Sequence, residues 1–243
     1  MTLFLASVRD AGEAEIAIGA SADIVDLKDP GAGALGALAP ETVDACLRAI
    51  GGRVPVSATI GDLPLEEERV RAAVLSMAAR GVDYVKLGLF PGADGERCLT
   101  MLASLTPQIR LILVLFADAL PEIDAIRVAA RIGASGVMLD TLGKSGVSLP
   151  ELVSAAKLAA LIESARARGL TIGLAGSLHA RHVPELLALG PDLLGFRGAL
   201  CRAGKRGRSL EPLRVASIRA LIPKNRGFAS EANLPDRPQL TLC

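Results

Sequence analysis

Short apolar runs recur along almost the whole chain, at 3–8, 24–29, 54–60, 84–89, 111–118, 136–141, 171–176 and 193–198. Each is short enough for a buried strand, and each is followed by a longer stretch with apolar residues at helical spacing. These stretches lie around 10–21, 40–50, 64–80, 94–105, 121–132, 149–168, 179–189 and 209–221, and several close on a glycine stop signal such as Gly81, Gly133, Gly169 or Gly190. Strict alternation of strand and helix implies parallel strands joined by right-handed crossovers. Eight such units are most simply closed as a single (β/α)8 TIM barrel over residues 1–222. After Pro223 the apolar period stops, and 223–243 is expected to be a short, irregular and mobile C-terminal tail.

An open doubly wound sheet is the competing architecture, because GAGALG at 31–36 matches a dinucleotide fingerprint. The fingerprint should leave the first strand and open a helix. Here it follows the second strand and the charged segment Asp26-Leu27-Lys28-Asp29-Pro30, so it is expected to be a flexible barrel loop.

In a barrel the chemistry sits where strands end and the next loops begin. The polar residues at those places are Asp26, Lys28 and Asp29; Ser57, Thr59 and Asp62; Lys86; Asp118; Asp140, Thr141 and nearby Lys144; and Arg197. In IVDLKD and YVKLGL the charges interrupt apolar runs, which points Lys28 and Lys86 at the barrel mouth or core, where an unpaired ammonium is costly. Three of the six lysines fall at strand ends. Arginine cannot shed its proton at accessible pH, whereas a crowded or desolvated lysine can become a neutral nucleophile or base. Salt bridges to the nearby aspartates are the structural alternative. Gly176-Ser177 and Arg197-Gly198 follow the seventh and eighth strands, where barrels commonly bind phosphate through backbone N–H groups, and Arg197 could add a forked pair of hydrogen bonds. The GKRGR run at 204–208 is expected to be a solvated loop, with a part in holding a phosphate as the alternative.

Composition narrows the classes. Charge is balanced, 27 Lys and Arg against 26 Asp and Glu, and only 2% of residues are aromatic, which disfavours a nucleic-acid partner. The strongest apolar stretch ends at Arg110 and Asp118, too short for a membrane span, and the start MTLFLASVRD has no charged leader, so a cytoplasmic protein is expected. Four scattered cysteines form no CxxC, and His179 and His182 have no thiol or carboxylate beside them in sequence, so no metal is expected. A homo-oligomer is left open.

The segments GASADIVDLKDPGAGALGA, PVSATIGDLP, GVDYVKLGL, GVMLDTLGKSG, GLAGSL and GFRGALC together resemble the (5-formylfuran-3-yl)methyl phosphate synthase family, over most of residues 3–222. The resemblance implies a (β/α)8 lyase without cofactor that combines two glyceraldehyde 3-phosphates into 4-(hydroxymethyl)-2-furancarboxaldehyde phosphate, the furan precursor of methanofuran. It implies that Lys28 forms a Schiff base, that Lys86 accepts a proton, and that Asp26, Asp140 and Lys144 complete the site. Neighbouring Lys86 and Lys144 would favour the neutral amine that Lys28 needs. The first strand ends Ala6-Ser7-Val8-Arg9 where the family carries Ser-Pro, so no role carries over to Ser7. Asp26-Leu27-Lys28 alone also fits a Schiff-base aldolase or an imine-free decarboxylase acting on a sugar phosphate, and a non-catalytic phosphate-ligand sensor is the alternative outside enzymes.

Overall fold

The computed structural model describes residues 1–90, 95–119, 124–143 and 146–224. Eight strands pair in parallel and in chain order, and the eighth returns to the first. They are β1 Leu3–Val8, β2 Ile24–Leu27, β3 Val56–Thr59, β4 Tyr84–Gly88, β5 Leu111–Phe116, β6 Gly136–Asp140, β7 Thr171–Leu174 and β8 Leu193–Phe196. Around them lie α1 Ala11–Gly19, α2 Pro40–Ile50, α3 Glu67–Ala78, α4 Gly95–Leu105, α5 Ala125–Arg131, α6 Leu149–Leu152, α7 Ala155–Arg166, α8 Val183–Leu189 and α9 Pro212–Leu221. The expected (β/α)8 barrel is thus what the chain forms. Among the described residues no helix is long and apolar enough to cross a membrane.

Several expected helices are shorter or divided. The stretch 149–168 is two helices, because Val153 is extended and Ser154 starts a new one by accepting the Lys157 N–H. The stretch 179–189 opens with a 3-10 turn at Ala180–His182 before α8. Residues 120–123, the expected start of α5, and 225–243, most of the expected tail, lie outside the described residues.

The two-residue period of the strands divides the core in two. Phe4, Ala6, Val8, Val25, Leu27, Val85, Leu87, Val137, Leu139, Leu194 and Phe196 belong to the large cluster that packs against the helices. The alternating positions Leu5, Ile24, Val114, Phe116 and Met138 form a second, smaller cluster inside the barrel. Ser7, Asp26, Lys28, Ser57, Lys86, Asp140 and Arg197 share the parity of that second set, so the polar positions of the strand ends converge on one axis. At the opposite end the chain repeats one device. Asp23, Asp83 and Asp192, each just ahead of a strand, accept the N–H of Phe4, Val56 and Ile172 on the neighbouring strand at 2.7, 2.8 and 2.8 Å.

The loop carrying GAGALG is pinned rather than flexible. Asp62 accepts the N–H groups of Ala34 and Leu35 at 2.8 and 2.6 Å, and Ala34 and Leu35 are buried against Val114 and Phe116 as a plug over one side of the barrel. Gly36 closes the loop: its carbonyl accepts from Asp29 N and Thr59 Oγ1, and a Cβ there would lie 2.4 Å from the Asp29 carbonyl oxygen. Gly36→Ala is therefore expected to destabilise the fold by about 1–3 kcal/mol, as overpacking does. Thermal unfolding should show a melting point lowered by several degrees, and an unchanged melting point would mean that the loop yields freely.

Candidate active site

At the C-terminal ends of the strands Asp26, Lys28, Lys86 and Asp140 come together, with exposures of 1, 6, 2 and 5%. Charges so far from water must be paired. Lys86 Nζ donates to Asp26 Oδ1 at 2.9 Å, Ser57 Oγ donates to the same oxygen at 2.6 Å, and Ser7 Oγ donates to Oδ2 at 2.9 Å. Burial on its own would raise the Asp26 carboxyl, but Lys86, Lys28 and the Ser57 hydrogen bond outweigh it and hold the group below its ordinary range. Lys28 pairs with Asp140 at 3.7 Å, and the other Asp140 oxygen accepts the Thr141 N–H at 2.7 Å. All four charged side chains line one pocket of about 380 Å³, a volume in the range of small-molecule sites. Lys144 lies outside the described residues.

The pocket wall above the quartet comes from the loops after β7 and β8, including Gly176, Ser177, Gly198 and Ala199. Gly176 has φ +97°, and a Cβ there would press on Thr141, so the close approach of this loop to β6 requires glycine. Ser177 follows with φ +48°, an uncommon backbone for a residue with a side chain. No partner among the described residues is found for the N–H groups of Gly176, Ser177, Leu178, Gly198 and Ala199.

Arg197 departs from its expected part. Its guanidinium donates through Nε to Arg206 O, through Nη1 to Ser7 O and the Glu13 carboxylate, and through Nη2 to Glu13 Oε1 and Arg208 O. All five N–H groups of the fork are thereby committed, and none is left for the forked bond to phosphate expected from sequence. Glu13, buried in α1, also accepts from Arg9 N and Leu210 N. The site thus rests on an acidic residue that sequence reasoning overlooked, since a lone glutamate in the first turn of a helix carries no signal of its burial.

Other strand-end residues prove to be fasteners. Asp118 accepts the N–H groups of Leu142 and Gly143, both at 2.6 Å, and so holds the loop that leads into Lys144. Asp29 accepts the Gly31 N–H at 2.7 Å, and the Thr59 hydroxyl donates to the carbonyls of Leu27 at the end of β2 and Gly36 in the loop after it. The GKRGR run is solvated as expected, exposed at Gly204, Lys205, Gly207 and Arg208 and half buried at Arg206, and Lys205 and Arg206 also line the pocket. His182 accepts from His179 N through Nδ1 and from Arg181 Nε through Nε2, and burial, with Arg181 and His179, pushes its pKa down. Its ring nitrogens are both occupied by protein.

A family model described as 4-HFC-P synthase matches residues 4–219. A Methylorubrum extorquens protein named "Putative (5-formylfuran-3-yl)methyl phosphate synthase" is 47% identical over 213 residues, 87% of this chain and 88% of that protein. A Methanopyrus kandleri protein named (5-formylfuran-3-yl)methyl phosphate synthase is 34% identical over 208 residues, 81% of this chain and 88% of that protein. Among solved structures, phosphoribosyl anthranilate isomerase from Thermus thermophilus matches with a TM-score of 0.63 at 20% identity, covering 91% of this chain and 98% of that one. At that identity the likeness is one of fold.

Asp26 supplies a test of the site's electrostatics. A carboxyl held below its ordinary range stabilises the fold above the pKa it has when unfolded, and this contribution is lost as pH falls through the lowered native value. The stability advantage of the wild type over Asp26→Asn should be constant near neutrality and shrink progressively below about pH 4. Chemical denaturation across that range checks this, and an advantage that grew on acidification would reverse the assignment.

Proposed function

The chain belongs to the 4-HFC-P synthase family, and from that premise we propose that it condenses two molecules of glyceraldehyde 3-phosphate through a lysine imine. The product is 4-(hydroxymethyl)-2-furancarboxaldehyde phosphate, released with one orthophosphate and two waters, in methanofuran biosynthesis. The observation that carries this reading is the pairing of two lysines with two carboxylates, all buried, in one pocket. A purely structural pair of salt bridges is seldom placed so, because desolvating the charges opposes folding unless something else requires them there.

Lys28 attacks the carbonyl of the first triose phosphate. Asp140, 3.7 Å from Nζ, receives the ammonium proton and returns it to the carbinolamine oxygen, which leaves as water. The iminium acidifies the adjacent C–H. Lys86, in its neutral form, takes this proton, and its hydrogen bond to Asp26, which Ser7 and Ser57 hold in place and which stays ionised, stabilises the ammonium that results. The resulting enamine carbon bonds to the carbonyl carbon of the second triose. Ring closure, dehydration and loss of phosphate follow, assisted by the same donors and acceptors. Gly176, Ser177 and Gly198 line the same pocket, which supports a role for their backbone N–H groups in holding a phosphate while this proceeds. Lys144 completes the group by family resemblance.

Borohydride reduction in the presence of glyceraldehyde 3-phosphate should fix an adduct of triose-phosphate mass on the tryptic peptide containing Lys28. Lys28→Arg should abolish both the adduct and the ultraviolet absorbance of the furan aldehyde, because arginine keeps the charge without supplying a neutral amine. Product formed without a trapped adduct would point to imine-free chemistry. An adduct confined to Lys86 would move the nucleophile.

The proton-transfer roles predict a different signature. Lys86→Met and Asp140→Asn should each lower turnover by roughly a hundredfold or more while the protein still folds. Steady-state kinetics beside circular dichroism separates the two effects, and wild-type turnover in either variant would remove that residue from the chemistry.

A further inference from the structure

The run GKRGR enters the site through a backbone held from outside. Cys201 and Leu210 bridge as antiparallel neighbours, and the Arg208 N–H turns back to Lys205 O at 2.8 Å, so 201–210 is a closed loop. Its outer carbonyls are gripped by two arginines. Arg197 bonds Arg206 O and Arg208 O, and Arg9 bonds Gly207 O and Ser209 Oγ. Both arginines pair with the buried Glu13. Two cationic side chains are thus spent on backbone or carboxylate, and what they present to the pocket is the side chain of Arg206.

Arg206 reaches across the mouth. Its Nη2 donates to Gly33 O at 3.0 Å, in the loop that Asp62 clamps, and its other N–H groups have no partner among the described residues. The residue is half buried and lines the same pocket as Lys28, Lys86 and Asp140. Burial works against its charge, as does Arg197, while Asp140, Asp62 and Asp29 favour it. A guanidinium in this position, lining a pocket and with no carboxylate among the described residues within salt-bridge reach, is suited to a planar, forked contact with an anion.

We infer that Arg206 forms a phosphomonoester subsite between the β8–α9 and β2–α2 loops, separate from the backbone N–H groups of Gly176, Ser177 and Gly198. Arg197 is then a positioning residue that acts through the Arg206 backbone. This rests on the triose-phosphate reading above and deepens it: a condensation of two phosphorylated substrates needs two anionic anchors in one pocket, and the pocket offers one built of amides and one built of a guanidinium. Exposed Lys205 lies beside the second.

The experiment compares wild type with Arg206→Gln, using inorganic phosphate as competitor and borohydride trapping with glyceraldehyde 3-phosphate and with unphosphorylated glyceraldehyde. Arg206→Gln should weaken phosphate inhibition and raise KM roughly tenfold to a hundredfold, the scale of a lost hydrogen bond to a charged group. Trapping of glyceraldehyde should be unchanged while trapping of the phosphorylated triose falls, so the preference between them collapses. Arg206→Lys should recover part of that preference, and the melting point of Arg206→Gln should stay at the wild-type value. Unaltered phosphate inhibition and unaltered preference would overturn the subsite. Loss of trapping for both trioses together would overturn it as well, by making Arg206 part of the chemistry or the fold. If the wild type makes no furan aldehyde, the reaction assigned above fails, and weakened binding of inorganic phosphate by Arg206→Gln, measured calorimetrically, still decides the subsite.

Discussion

The organisation of the barrel mouth follows from the need to keep Asp26 ionised in a place water does not reach. A carboxylate at 1% exposure survives because every side that matters is answered, by Lys86 and Ser57 on one oxygen and Ser7 on the other. Removing one partner of such a buried pair commonly costs about 3–5 kcal/mol, because the other charge is then left unpaired. The donors come from β1, β3 and β4, and each must stand on the inner face at the same height. The residues that register the strands at the opposite end, Asp23, Asp83 and Asp192, therefore contribute indirectly to the site, since a slip of one residue would turn Asp26 or Lys86 out toward the helices.

Aspartates in this chain divide into two kinds that look alike in sequence. Asp26 and Asp140 face lysines inside the barrel. Asp62 and Asp118, also at strand ends, each accept two consecutive backbone N–H groups and hold the loops after β2 and β6. The second kind makes the first useful. With Leu35 plugged against Phe116, one side of the mouth is closed by apolar side chains, and the pocket lies toward the side of β7, β8 and β1, where Arg206 also lines it. The cations divide the same way. Arg9 and Arg197 organise backbone, and the lysines meet the carboxylates of the pocket.

The eight strand-and-helix units, and the positions of Lys28, Lys86, Asp26 and Asp140 at one end of the barrel, could be read from the chain alone, because a two-residue period in strands and a 3.6-residue period in helices are local consequences of backbone geometry. A charge inside an apolar run is equally legible, since an apolar face tolerates it for few reasons. What each polar residue touches was decided elsewhere. Arg197 is committed to Glu13, 184 positions away, and Arg206 reaches Gly33 across 173. Ser7 meets an aspartate on the neighbouring strand. No periodicity reports such pairings, because closing the barrel brings the first and last strands side by side and sets their registers together. Sequence by itself determined the barrel and the four charges that turn inward; the tertiary structure decided which of the remaining polar groups face the pocket and which only hold it open, since hydrogen bonds between distant segments exist only once the sheet has closed.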